Sequence, residues 1–153
     1  FDQFFDKDLF FRFNEQLDKE TVIKKMCNKL QEKNFVNEDF LQSVLKRETI
    51  GKTNMNDVFA LPHPMEMCAN DTKVAVALLK NPVKWNDSNN VLQKSLTSTQ
   101  IVFMLVLKHG EQKDFEHLYD IFIEIINTPK LQQNILKAKT YEEFLDVLYD
   151  GIK

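Results

Sequence analysis

Two continuous apolar runs limit what this chain can fold into: KVAVALL at residues 73–79 and IVFMLVL at residues 101–107. A strand with one wet face alternates apolar and polar side chains, whereas a strand covered on both faces is apolar throughout. Both runs are rich in Val, Leu or Ile and have the length of strands. They therefore predict a central sheet with helices on each face.

Segments with helical periodicity lie before and after the two runs. Each begins at a residue that caps or starts helices well, namely Asp, Asn, Pro or a Thr-x-x-Glu capping box. The expected helices run from Asp18 to about Lys33, from Asn37 to about Lys46, from Asp114 past Ile126, from Pro129 to about Lys139, and from Thr140 onward. This order of elements predicts a three-layer α/β/α sandwich.

A stretch without helical period separates the second expected helix from the first apolar run. It extends over residues 48–65 and contains a short predicted strand, 58–61, that ends at Pro62. Residues 1–14 carry six Phe and predict a short strand or an apolar arm packed on the body. At 153 residues, the chain is expected to form one domain spanning 1–153.

Charge and hydropathy exclude several classes of protein. The formal net charge is −3, and acidic and basic residues are mixed along the whole chain. Because the sequence has no block of Lys or Arg to follow a phosphate backbone, direct nucleic-acid binding by this segment is not expected. The longest apolar run is far below the roughly 20 residues that a membrane-spanning helix needs.

The cysteines favour a reducing compartment. Cys27 and Cys68 are the only two cysteines, and Cys27 lies on the apolar face of the first predicted helix. They could form one disulfide, but we interpret both as free thiols in the cytoplasm. No signal peptide is visible, and the missing initiator Met suggests a domain taken from a longer chain.

Two of the three histidines directly follow predicted strands. His63 follows VFALP and His109 follows IVFMLVLK, whereas His117 lies inside a predicted helix and is interpreted as a residue without function. Adjacent strands that end on the same side of a sheet would bring His63 and His109 together. That edge is where α/β sheets usually place their sites.

Phosphoryl transfer suits such a site. An unperturbed imidazole has a pKa of about 6.5 and so offers a neutral nucleophilic nitrogen at cytoplasmic pH. The transferred group is negative, and Arg47 is the candidate to stabilise it because its planar fork matches phosphate oxygens. Pro62 and Pro64 flank His63 and would fix the backbone around it. This chemistry needs no cofactor and no metal.

Residue chemistry alone leaves other interpretations open. His63 as an inert loop residue is one of them. A zinc site with His63 and Cys68 lacks further ligands, and a Cys–His catalytic pair with Cys27 would need a buried thiol to react. The sequence has no Gly-rich phosphate loop and no G-x-S-x-G or H-E-x-x-H pattern.

Several motifs resemble one known family. Lys46-Arg47-Glu48, Thr53 and Ala60-Leu61-Pro62-His63-Pro64 resemble the enzyme IIA domains of the fructose–mannitol class of the bacterial sugar phosphotransferase system. The resemblance continues through Pro82-Val83-Lys84-Trp85, the strand before His109, and Ala138-Lys139-Thr140-Tyr141-Glu142-Glu143-Phe144, and so covers nearly the whole chain.

The resemblance implies a mixed sheet of about five strands and a specific chemistry. His63 would take a phosphoryl group on Nε2 from the phosphocarrier protein HPr. His109 would support the phosphorylated ring, and Arg47 would stabilise the phosphate. In transport members the group then passes to a cysteine on a IIB domain, and neither cysteine of this chain lies in a recognisable IIB-type loop.

Two features favour one branch of the family. Pro64 and the opening Phe4-Phe5-Asp6-Lys7-Asp8-Leu9 resemble IIA-like modules at the carboxyl ends of BglG-type transcriptional antiterminators and regulators, in which phosphorylation is an input signal. A transport component and a scaffold that is not phosphorylated are the alternatives. Asn56-Asp57 replaces a glycine-containing turn of many relatives, which is expected to slow transfer if that turn binds phosphate.

Overall fold

The computed structural model describes residues 3–51, 53–55, 58–65, 69–85, 98–110 and 112–152. The strands of the described residues are β1 (Phe10–Phe13), β2 (Phe59–Ala60), β3 (Lys73–Val83) and β4 (Thr99–Val106). The helices are α1 (Lys19–Glu32), α2 (Phe40–Ile50), α3 (Gln112–Asn127), α4 (Pro129–Lys137) and α5 (Tyr141–Gly151). The chain is an α/β fold with a mixed sheet, as expected.

The two apolar runs form the centre of the sheet. The strand order is β1-β3-β4-β2, with β3 and β4 antiparallel and paired through Val76 and Phe103. Edge strand β1 runs parallel to β3, and edge strand β2 runs parallel to β4 with Ala60 opposite Val102. Because the central strands are flanked on both edges and covered on both faces, their backbone and side chains are withdrawn from water.

Alternate residues of the central strands enter two separate cores. Phe103 and its neighbours on one face pack with buried residues of α3, α4 and α5, whereas Met104 and its neighbours on the other face pack with α1 and α2. This division follows from the period of two along a strand. Helices therefore cover both faces of the sheet, and the expected three-layer sandwich is confirmed.

The expected number of strands was slightly too high. The described residues contain four strands rather than about five. Residues 53–55 lie along the outer edge of β2, but only the bridge between Asn54 and Ala60 is formed. The Met55 N–H donates to the Phe59 carbonyl at 2.8 Å, and the Leu61 N–H donates to the Thr53 carbonyl at 2.9 Å. Because β2 is only two residues long, residues 53–55 have too few strand residues to pair with and do not form a strand themselves.

Helix α2 differs most from its prediction. It was expected to begin at Asn37 and to end near Lys46, but it begins at Phe40 and continues to Ile50. The Asn37 side chain instead accepts a hydrogen bond from the Asp39 N–H at 3.0 Å and so stabilises the turn before the helix. Arg47 therefore lies within the last turn of a helix, not beside an irregular segment.

The remaining differences are shifts of element ends. Strand β3 runs on to Val83, four residues past the apolar run that predicted it. Helix α3 begins two residues before Asp114, and α4 ends at Lys137 rather than near Lys139. No helix in the described ranges is both long and apolar enough to cross a membrane.

Thr99→Val is expected to raise the free energy of unfolding by about 1 kcal/mol. Thr99 is fully buried, and its hydroxyl oxygen has no hydrogen-bond partner among the described residues. Valine has nearly the same shape as threonine. It removes a hydroxyl group whose burial without a partner costs free energy.

Thr72→Val is the matched control for Thr99→Val, measured by urea denaturation of both variants. The buried Thr72 hydroxyl accepts a hydrogen bond from the Lys108 N–H at 3.1 Å, so its loss is expected to destabilise the domain. Equal losses of stability in the two variants would contradict the assignment of Thr99 as unsatisfied.

Candidate functional site

His63 lies at the edge of the sheet where β2 and β4 end. The two strands are parallel neighbours, so their carboxyl ends meet on the same side. The pairing continues past β2, because the Leu105 N–H donates to the Pro62 carbonyl at 2.9 Å. His63 directly follows Pro62, whose carbonyl bonds to β4, and His109 follows the end of β4 by three residues.

Among the described residues, the His63 ring is held by a hydrogen bond to the backbone of Leu61, two residues earlier. Its Nδ1 lies 2.9 Å from the Leu61 carbonyl oxygen. A carbonyl oxygen accepts only, so in the neutral ring the proton is on Nδ1 and the lone pair is on Nε2. The contact therefore selects the tautomer in which Nε2 carries the lone pair.

The segment after His63 is anchored on α2. Pro62 and Pro64 are both buried, and the half-buried His63 lies between them. The Met65 N–H donates to the Ser43 hydroxyl at 2.8 Å. Prolines fix φ on both sides of the histidine, and the bonds at Pro62 and Met65 fix the ends of the segment. The backbone around His63 is thereby held before any partner arrives.

His109 lies in an exposed turn after β4. The turn contains Gly110 with a φ of 92°, a conformation that other residues rarely adopt. It is held by the Lys108 N–H, which donates to the buried Thr72 hydroxyl just before β3. Because β3 is antiparallel to β4, Thr72 lies at the same edge of the sheet as the turn that carries His109.

Arg47 lies in the last turn of α2, on the face that contacts the His63 segment. Ser43 bonds to Met65, and Arg47 follows Ser43 by one helical turn on the same face. One guanidinium nitrogen, Nη1, donates to the Gly51 carbonyl at 3.1 Å. A guanidinium has five N–H donors, and this is the one hydrogen bond that Arg47 makes with a side-chain donor among the described residues.

A buried polar cluster next to Arg47 had no predicted role. The Thr53 hydroxyl donates to Oε2 of Glu48 at 2.5 Å and accepts from Nε1 of Trp85 at 3.0 Å. Lys19 Nζ lies 3.5 Å from the other Glu48 oxygen. Glu48, Thr53 and Trp85 were visible in the sequence only as parts of motifs. The presence of a single Trp in a polar stretch was the one signal that could have indicated them.

The other residues singled out in the sequence are Cys27, Asn56, Asp57, Cys68 and His117. Cys27 is a buried free thiol, and burial raises its pKa to about 12. It is therefore protonated and poorly nucleophilic at neutral pH. Asn56, Asp57 and Cys68 lie outside the described residues. His117 is exposed on α3, where its ring lies 5.8 Å from the ring of Phe4.

Comparison with protein families decides the affiliation of the chain. Residues 3–151 match the family described as "Phosphoenolpyruvate-dependent sugar phosphotransferase system, EIIA 2". The chain belongs to this family. The predicted resemblance to fructose–mannitol class IIA domains is therefore confirmed over nearly the whole length.

Two curated proteins of Bacillus subtilis (strain 168) are similar to this IIA domain. The "Probable licABCH operon regulator" is 27% identical over 141 residues, which is 92% of the domain and 21% of that protein. The "Transcriptional regulator ManR" is 26% identical over 127 residues, or 83% of the domain and 18% of that protein. The chain thus spans about a fifth of the length of either relative.

Solved structures support the fold of this IIA domain. The nitrogen regulatory protein IIA-Ntr from Neisseria meningitidis superposes with a TM-score of 0.78 at 14% identity, covering 95% of this chain and 97% of that one. IIA mannitol from Escherichia coli gives a TM-score of 0.72 at 15% identity, with 92% and 96% covered. At these identities the comparison establishes the fold alone.

Proposed function

We propose that this IIA domain accepts a phosphoryl group from the phosphocarrier protein HPr on Nε2 of His63. The single observation that carries the proposal is the hydrogen bond from Nδ1 of His63 to the Leu61 carbonyl, at 2.9 Å. It leaves the Nε2 lone pair available for attack on phosphorus. The bond between phosphorus and the donor breaks as the new P–N bond forms, and the donor keeps the electron pair.

Two further side chains are proposed to stabilise the charge of the transferred group. Arg47 supplies a permanent positive charge and N–H donors from the last turn of α2. His109 supplies a ring N–H from the turn after β4 and supports the phosphorylated imidazole. Both roles use fixed donors directed at negative oxygens, which is the main way in which proteins promote phosphoryl transfer.

The surface beside His63 is suited to a protein partner. Three of the large apolar side chains that are exposed among the described residues belong to segments around the site: Ile50 at 63%, Met55 at 51% and Met65 at 43%. Ile50 ends α2, Met55 pairs with β2, and Met65 follows His63 by two residues. Exposed apolar groups next to a reactive residue favour docking of a protein surface over binding of a free anion.

The phosphorylated domain is proposed to act as a regulatory module of a sugar-responsive transcriptional regulator or antiterminator in the cytoplasm. Both curated relatives carry the name of a regulator, which supports this use. Phosphate on His63 would then be a signal. A specific finding favours a second candidate, a transport component: one structural neighbour, with a TM-score of 0.76, is a "Complex of enzyme IIAMTL and phosphorylated enzyme IIBMTL".

A two-step transfer assay tests these proposals. The domain is incubated with HPr that has been phosphorylated with labelled phosphoenolpyruvate and enzyme I, then separated and mixed with an isolated IIB domain. Label on the domain that stays there supports a signalling role. Rapid passage to the IIB cysteine would favour the transport role. Failure of HPr to label the domain would overturn phosphoryl acceptance and favour a binding scaffold.

Arg47→Ala is expected to slow transfer from phospho-HPr by roughly 100-fold, the usual cost of removing one donor to a developing charge. Rapid-quench measurement of labelling gives the rate, and circular dichroism shows whether the domain is folded. Arg47→Lys is the control, and it should recover part of the rate because the positive charge is kept. An unchanged rate in Arg47→Ala, or loss of the fold, would contradict a role for Arg47 in transfer.

A further inference from the structure

The cluster beside Arg47 contains a buried carboxylate. The Glu48 side chain is 3% exposed. Thr53, which donates to it, is 4% exposed, and Trp85, which donates to Thr53, is 1% exposed. Removing a carboxylate from water is costly, and apolar side chains of similar volume often stabilise a protein as well as a buried ion pair does. The ammonium group of Lys19 offsets only part of this cost, because its distance of 3.5 Å from Glu48 is long for a hydrogen bond.

A continuous chain of hydrogen bonds leads from this carboxylate to the His63 ring. Glu48 accepts from the Thr53 hydroxyl, and the Thr53 carbonyl accepts from the Leu61 N–H at 2.9 Å. The Leu61 carbonyl in turn faces Nδ1 of His63 at 2.9 Å. Leu61 is thus bonded on one side to the residue that Glu48 holds and on the other to the proposed nucleophile.

We infer that Glu48 is a positioning residue that acts through Thr53 and Leu61 to keep the His63 ring in its Nδ1–H tautomer. Trp85 is the second anchor of the Thr53 hydroxyl and fixes it against the end of β3. If Thr53 moves, the Leu61 N–H loses its acceptor, and the Leu61 backbone that carries the carbonyl facing Nδ1 is held less firmly. The ring then exchanges tautomers and orientations, and the Nε2 lone pair is no longer presented in one place.

This inference rests on the proposed function in one respect only, which is that Nε2 is the atom that attacks phosphorus. The tautomer and orientation of the ring belong to the unphosphorylated domain and can be measured without HPr. A purely structural role for Glu48 would change the free energy of unfolding but would leave the tautomer of His63 in the folded domain unchanged. Tautomer and stability therefore separate the two roles.

The test records long-range ¹H–¹⁵N correlations of the His63 ring, which distinguish a protonated from an unprotonated ring nitrogen. Glu48→Met removes the acceptor and keeps the volume, whereas Glu48→Gln keeps an oxygen that accepts from Thr53. The wild type and Glu48→Gln are expected to show the proton on Nδ1. Glu48→Met is expected to show averaged shifts of a mixed tautomer population.

Two threonine variants provide a matched comparison that does not alter the carboxylate. Thr53→Val cuts the same chain of bonds and is expected to mix the tautomers, whereas Thr99→Val removes a buried hydroxyl elsewhere and should leave the ring unchanged. Nδ1–H shifts that persist in folded Glu48→Met or folded Thr53→Val would overturn the inference. Failure of both variants to fold would also count against it, because the cluster would then be structural.

Labelling by phospho-HPr, measured in parallel, separates this inference from the proposed function. Glu48→Met is expected to accept the phosphoryl group roughly 100-fold more slowly, as a small displacement of a reacting atom can cause, and Glu48→Gln to recover much of the rate. Mixed tautomers in Glu48→Met together with an unlabelled wild type would overturn the function and support the positioning role. A labelled wild type with tautomers equal in all variants would overturn the positioning role alone.

Discussion

Replacing His63 by alanine is expected to abolish labelling by phospho-HPr while changing the free energy of unfolding by less than about 1 kcal/mol. The ring is the proposed nucleophile, so its removal leaves no atom to form the P–N bond. The side chain is only half-buried, and its hydrogen bond among the described residues is to the nearby Leu61 carbonyl, so the fold loses little. Gel-based measurement of acid-labile label and urea denaturation check the two parts.

His117→Ala is the control for this prediction. His117 is exposed on α3, where its ring contacts that of Phe4, and its removal should leave labelling unchanged. The labelling rate of His109→Ala is expected to lie between those of His63→Ala and His117→Ala, because the proposed nucleophile is kept and one supporting donor is lost. Undiminished labelling of His63→Ala would refute the mechanism whatever the other two variants show.

Phe103→Ala is expected to cost about 3–5 kcal/mol of the free energy of unfolding, the range found for removing a fully buried aromatic ring. Phe103 is fully buried in the centre of β4, where its ring contacts those of Phe5, Phe59, Phe122 and Phe144 at centroid distances of 4.9–5.9 Å. Its loss opens a cavity that the strand backbone cannot close.

The measurement is the urea midpoint, with Tyr119→Ala as the control. Tyr119 is an aromatic residue of α3 that is 51% exposed, and its removal should change stability by no more than about 0.5 kcal/mol. Because typical domains are stable by only about 5–15 kcal/mol, Phe103→Ala is expected to be partly unfolded at growth temperature. Similar midpoints for the two variants would contradict the description of this core.

The central sheet could be predicted from sequence because its signal is local. Residues 74–79 and 101–107 are apolar at successive positions, a pattern typical of strands covered on both faces. The N-terminal caps of α1 and α5 could also be predicted from the sequence. Asp18 and Thr140 accept hydrogen bonds from the N–H groups of Thr21 and Glu143, as their spacing predicted.

The end of α2 could not be predicted in the same way. Residues 46–49 are Lys, Arg, Glu and Thr, so the apolar stripe of the helix ends before the helix does. Contacts of the polar side chains accompany the continued helix: Glu48 contacts Lys19 of α1 and the Thr53 hydroxyl, and Arg47 donates to the Gly51 carbonyl. Contacts of this kind depend on how the elements pack, and the spacing of apolar residues along the sequence does not predict them.

Two residues of the candidate site could be proposed from the sequence alone. His63 and His109 both follow predicted strands, and sites in α/β sheets usually lie at strand carboxyl ends. The bond between Thr53 and Trp85 joins residues that are 32 positions apart, and nothing in either neighbourhood marks them as partners. The positioning cluster therefore required the three-dimensional arrangement.

The most direct test of the central claim is to locate the phosphoryl group after incubation with phospho-HPr. Peptide mass spectrometry under alkaline conditions, which preserve phosphohistidine, identifies the modified peptide, and ³¹P NMR of the intact domain distinguishes substitution at Nε2 from substitution at Nδ1. The account predicts one phosphoryl group, on Nε2 of His63. A group on Nδ1, on His109 or His117, or no group at all, would contradict it.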